Sequence, residues 1–181
     1  TMEEVIPCQH SFIKTFKHGK AFVKKDSKWI VIDTKNNALI KPENGFDALG
    51  KEFKTGEMTV RIKDKWGVCD ANGRIIVPIK YDQIVNYEDG YAVVNNNGIR
   101  RATTKNRNLN SVLRSVQLKG GSWGLVDTLG HEIVPLVEEY DEVQNFYGGY
   151  APVKKRGKWG WVDKKGDLAT TFRFDAFFGY K

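Results

Sequence analysis

Short apolar runs separated by turn residues fill this chain of 181 residues. "WGLVD" (123–127) and "EIVP" (132–135) are brief and rich in β-branched side chains, which suits strands rather than helices. No segment sustains a helical period, and Asn108–Leu118 is the least regular stretch. The pattern also recurs. "KWGWVDKKG" (158–166) is echoed by "KWGVCDANG" (65–73), by "SWGLVDTLG" (122–130) and, more weakly, by "KWIVIDTKN" (28–36).

With Trp29, Trp66, Trp123 and Trp159 as origins, further positions align. A valine precedes each Trp (Val23, Val60, Val94, Val153), and a glycine stands four residues before each valine (Gly19, Gly56, Gly90, Gly149). Four residues after each Trp comes Asp33, Asp70, Asp127 or Asp163, and seven after it comes Asn36, Gly73, Gly130 or Gly166. Pro42, Pro78 and Pro135 follow, then an aromatic–Asp pair at Phe46-Asp47, Tyr81-Asp82, Tyr140-Asp141 and Phe174-Asp175. A period of roughly 36 residues dictates a repeat architecture.

Each Trp is expected to open a β-hairpin whose Asp-x-x-Gly turn has a physical basis. The Asp accepts hydrogen bonds from turn N–H groups, and the Gly or Asn supplies a positive φ. The proline is expected to end the second strand, because it cannot donate to a ladder. Trp29, Trp66, Trp123 and Trp159 are read as core and the Gly after Trp as a point of close approach. Trp161 breaks the pattern and is expected to be the more exposed ring.

These units resemble the bacterial WG (KWG) repeat, with its Trp-Gly, two apolar residues, Asp-x-x-Gly, proline and Tyr/Phe-Asp pair. The resemblance covers Trp29 to Asp175, and Ile30 departs from it where the glycine is expected. It implies an all-β repeat module that mediates interactions, and it supplies no catalytic residue. The fold expected is an all-β array of about four such repeats, built from short antiparallel strands in a single domain over residues 1–181. An open, solenoid-like array is favoured, since it needs no fixed repeat count; a small propeller-like closed ring is the alternative.

Charge then changes the picture. The connections between each valine and the next Trp are "KKDSK" (24–28), "RIKDK" (61–65), "KKRGK" (154–158) and residues 95–122, the last with six basic residues and no acid. Together they hold fourteen net positive charges in a chain whose net charge is +7. The long connection contains a basic insertion at 98–121, which is read as a hairpin extension or a flexible arm. Arg100, Arg101, Lys105, Arg107, Arg114, Lys119, Lys154, Lys155 and Arg156 are the candidate binding residues. The partner expected is a protein with an acidic surface. Nucleic acid is the weaker alternative, because the insertion offers no aromatic ring for stacking. A second alternative is carbohydrate binding on Tyr147, Tyr150, Trp161 and Phe178.

Recognisable catalytic chemistry is missing from the sequence. Cys8, His10 and His18 match no zinc spacing, and no nucleophile elbow, P-loop or dinucleotide fingerprint occurs. Glu138, Glu139, Asp141 and Glu142 are conceivable glycosidase carboxylates, but Asp141 belongs to the repeat. No enzyme activity, metal or cofactor is expected. Cys8 and Cys69 are read as reduced thiols. No apolar run approaches the roughly 18 residues of a membrane span. Met2 as a native start would make the protein cytoplasmic; otherwise an exported chain has lost its leader.

Overall fold

The computed structural model describes residues 10–104, 114–137 and 139–176, with the backbone alone for 100–104 and 114–117. The chain divides into two units, Thr1–Tyr81 and Asp82–Lys181. In the first, β1 (Phe12–Ile13), β2 (Lys20–Lys25) and β3 (Lys28–Asp33) form sheet 1. A 3-10 turn at Pro42–Asn44 leads to sheet 2, made of β4 (Ala48–Glu52), β5 (Met58–Ile62), β6 (Lys65–Cys69) and β7 (Ile75–Tyr81).

The second unit opens with β8 (Gln83–Glu88) and β9 (Tyr91–Asn96), then a two-stranded ribbon of β10 (Ile99–Thr104) and β11 (Arg114–Lys119). Next come β12 (Ser122–Asp127) and β13 (Glu132–Val137), and sheet 3 has the order β13-β12-β9-β8. Sheet 4 follows as β14 (Glu142–Val143), β15 (Tyr150–Lys155), β16 (Lys158–Asp163) and β17 (Leu168–Phe174). Every pairing between these strands is antiparallel. The described residues thus form an all-β array of repeats, and no sheet closes into a barrel.

The sheets are out of phase with the Trp period. Sheets 2, 3 and 4 each contain one valine strand and one Trp strand at the centre, and each begins just after an aromatic–Asp pair; in sheet 1 the Trp strand β3 lies at the edge. The first strand of each sheet (β1, β4, β8, β14) went unread in the sequence. Those strands are short, and β4 and β8 carry register shifts that blur their alternation.

The glycine after Trp lets the fourth strand of the sheet cross closely. A Cβ on Gly67 would lie 2.5 Å from the Val77 carbonyl oxygen, and one on Gly124 would lie 2.7 Å from Leu136 Cγ. The pairings β6–β7, β12–β13 and β16–β17 all shift register around that glycine. Sheet 1 carries Ile30 there and has no fourth strand after its Trp strand. Only the bridges Ile32–Ala38 and Trp29–Phe46 form, because a branched Cβ blocks the crossing. The prolines do not end their strands as expected. Pro78 and Pro135 lie inside β7 and β13, which are edge strands where a missing donor costs no ladder bond.

Successive sheets within a unit stack face on face, using equivalent positions. Phe22 and Val31 on the front of sheet 1 pack with Met58, Val60 and Cys69 on the rear of sheet 2. Val93 and Leu125 on the front of sheet 3 pack with Ala151, Val153 and Val162 on the rear of sheet 4. Phe46 and Tyr140, from the aromatic–Asp pairs, join these layers. Trp123 and Trp159 are buried, whereas Trp29 and Trp66 are half-buried.

Candidate interaction surfaces

The repeated aspartates hold turns. Asp33 Oδ1 accepts from the N–H groups of Lys35 and Asn37, and Asp70 Oδ1 from those of Asn72 and Arg74. Asp127 does the same with Leu129 and His131, and Asp163 with Lys165 and Asp167. The seventh position has positive φ in every copy: 65° at Asn36, 79° at Gly73, 81° at Gly130 and 88° at Gly166. The Asn37 side chain, then its N–H, holds the Asp33 carboxyl below its ordinary pKa. At Asp127 burial pushes the pKa up, but the His131 and Leu129 N–H groups and the His131 ring outweigh it, and the net shift is downward.

The aspartate of the aromatic–Asp pair fastens a hairpin of its own sheet and, at Asp47, the preceding Trp strand as well. Asp47 accepts from Lys28 Nζ, beside Trp29, and at 2.5 Å from the Lys63 N–H in the following hairpin. These bonds, that from Lys28 foremost, lower its pKa. Asp82 accepts at 2.9 Å from the Asn97 N–H, and Asp141 at 2.7 Å from the N–H of Gly157, in the β15–β16 turn. Asp175 pairs with Lys158, as Asp47 does with Lys28. The lysine of "KWG" therefore has a structural role that the sequence reading had assigned to the basic edge.

Several other cations are similarly engaged. Arg61 lies over the Trp66 ring and Lys154 over the Trp159 ring, each 5.5 Å from the centroid. Lys155 pairs with Glu139, whose carboxyl it holds below the usual range. Arg156 stands exposed at the tip of the β15–β16 hairpin with φ 50°.

The insertion is a hairpin extension. Arg100 and Arg101 fall on β10, and Arg114 and Lys119 on β11, in a register running from Ile99–Lys119 to Thr104–Arg114. Lys105 and Arg107 lie outside the described residues. The ribbon's base is tied into sheet 3: Gln83 Nε2 donates to the Gly98 carbonyl at 2.9 Å and Asn95 Nδ2 to the Gly120 carbonyl at 3.1 Å. A cleft of about 980 Å³ adjoins it, lined by Lys119, Lys154, Asp141 and Glu142 among others.

A second surface gathers Tyr147, Tyr150 and Trp161 around a cleft of about 410 Å³. Phe178 lies outside the described residues, as do Cys8 and Glu138. Cys69 is a buried free thiol whose pKa burial pushes up to about 12, so it is unreactive at neutral pH. Among the described residues no group of His, Cys, Asp or Glu could hold a metal, and no helix is long and apolar enough to cross a membrane.

No curated protein matches the chain. The family described as "WG containing repeat" matches residues 1–29, 66–98, 123–159 and 159–181, which is well over half of the sequence. The unmatched stretches, 30–65 and 99–122, begin at Ile30 and take in the basic ribbon, the two places where the repeat departs from its own pattern. With its Trp-Gly crossings and Asp-held turns, the chain belongs to the WG-repeat family.

Proposed function

We propose that the protein is a non-catalytic interaction module that offers the basic ribbon, with the Arg156 hairpin tip, to a protein partner of acidic surface. The ribbon carries the reading. Where three sheets join their valine and Trp strands by a short hairpin, sheet 3 extends the same connection into a paired arm containing six basic residues. Extensions of one connection in a repeat array commonly serve binding. Among the cations of the other connections, Lys28, Lys155 and Lys158 are held by carboxylates and Arg61 and Lys154 lie over rings, so these are engaged within the fold.

The test replaces residues 101–117 with Asn-Gly, a natural two-residue hairpin turn. Binding to polyglutamate, the probe for an acidic surface, is measured at low and physiological salt. Wild type should bind and weaken with salt, since exposed charges are screened beyond about 8 Å at physiological ionic strength. The shortened form should lose most of that binding. Equal binding by both forms refutes the reading, and a preference for single-stranded oligonucleotides over polyglutamate moves it to nucleic acid.

A further inference from the structure

The front of sheet 4 differs from its counterparts. In sheets 1 and 3 the residue two after the Trp, Val31 or Leu125, is fully buried in the layer shared with the next sheet. In sheet 4 that position is Trp161, and its ring is only partly buried. Tyr91 of sheet 3 pairs in register with Asp127 and is capped by Phe146, with ring centroids 4.6 Å apart. Its counterpart, Tyr150, pairs with Asp163 yet is 47% exposed. Tyr147, across the Gly148–Gly149 turn, is 49% exposed. Sheet 1 places Lys17 and Lys20 at that same turn pair.

We propose that this cleft binds a proline-rich segment of a partner protein in the polyproline II form. Its volume of about 410 Å³ falls within the roughly 300–1,000 Å³ of small-ligand sites. The platform is pre-organised. Tyr147 N–H donates to the Tyr150 carbonyl at 2.7 Å and Tyr150 N–H to the Tyr147 carbonyl at 3.1 Å, around glycines at φ 58° and 89°. Little entropy is then lost when the rings receive a ligand.

Charge and hydrogen-bond polarity select the occupant. The lining of Tyr147, Tyr150, Trp161, Ala169 and Thr170 has no charged side chain, in a sequence that is 28% charged. Its hydroxyls can donate, and Thr170 Oγ1 accepts from the Trp161 backbone N–H at 3.2 Å. Prolines present carbonyl acceptors, lack an amide N–H, and stack flat apolar rings on aromatics. Carboxylate and carboxamide side chains, common partners of sugar hydroxyls, are absent from this lining. A further sheet would meet an aliphatic residue such as Val31 or Leu125, not a Trp with two tyrosines. The cleft lies toward the Asp163 end of sheet 4's strands, away from the Arg156 hairpin, so it is separate from the basic tips.

The test is calorimetric titration of the intact protein with an oligoproline peptide, a soluble β-glucan oligosaccharide as comparator, at two salt concentrations. Wild type should bind the peptide saturably and independently of salt. The variant Tyr147→Lys with Tyr150→Lys imports the pair found in sheet 1, and Trp161→Val imports the residue of sheets 1 and 2. Both should keep the wild-type melt and weaken peptide binding at least about tenfold, the loss of one interface anchor. Glucan binding without peptide binding, peptide binding that survives in both variants, absence of either ligand, or a concentration-dependent dimer abolished by the variants would each overturn the proposal. A salt-sensitive polyglutamate interaction that persists in the variants leaves the reading of the basic ribbon intact.

Discussion

At the residue scale, most of the conspicuous side chains organise backbone. Asp127 accepts two turn N–H groups and meets the His131 ring at 2.9 Å. Asp127→Ala should cost about 1 kcal/mol by removing that acceptor, measured by urea melts. Acid gives a second check. Asp33, Asp47, Asp127 and Glu139 all have lowered pKa values in the fold. As pH falls below about 4, the unfolded chain with ordinary carboxyls takes up protons first. The stability these groups supply is complete at neutral pH and is lost from about pH 4 downward, as the folded carboxyls protonate. Melting temperatures that stay level into that range would contradict this. The turn role was legible because Asp-x-x-Gly has one mechanism whatever surrounds it. The partner of the lysine before Trp was not: Lys28 and Lys158 meet Asp47 and Asp175 across 19 and 17 residues, a proximity that only the folded strands create.

At the element scale, the Trp-Gly pair is a large side chain next to a crossing point. Gly67→Ala places a Cβ 2.5 Å from the Val77 carbonyl, which as backbone cannot step aside. Overpacking of that kind costs about 1–3 kcal/mol. Gly160→Ala meets Phe172 Cδ1 and the Thr170 carbonyl only at 3.0 Å and should cost less. Comparing the two denaturation midpoints tests the crossing argument. Trp123→Ala should cost about 3–5 kcal/mol, as for other buried aromatics, and Trp66→Ala less than half of that, since Trp66 is half-buried under Arg61. The hairpins were readable from alternation and turn residues. The opening strands were not, because Glu142–Val143 is two residues long and no period shows in so short a run. Nor could the sequence show that Pro78 and Pro135 fall on edges, a fact about strand order rather than strand composition.

At the scale of the whole molecule, the ribbon is its own sheet, and its base is anchored through Gly98 and Gly120. Replacing 101–117 should shift the melting temperature by no more than about 4 °C, roughly one kcal/mol in a chain of this size. Removing all of 98–121 should cost more, because it strips the carbonyl partners from Gln83 and from the wholly buried Asn95 and removes Leu118 from the core. Thermal melts of the two deletions side by side decide whether the base is structural and the arm free for binding. The offset between the Trp period and the sheets has a genetic consequence. The segment from Trp123 to Trp159 supplies the Trp strand and closing edge strand of one sheet and the opening and valine strands of its successor. A recombination event that gains or loses such a segment splices two half-sheets of the same design into a whole one, with the Lys–Asp fastening restored. The number of units is thus free to drift between lineages. What selection can hold constant is the seam, and the places where a copy departs from it, as at Ile30 and the ribbon, record where this chain stopped being interchangeable.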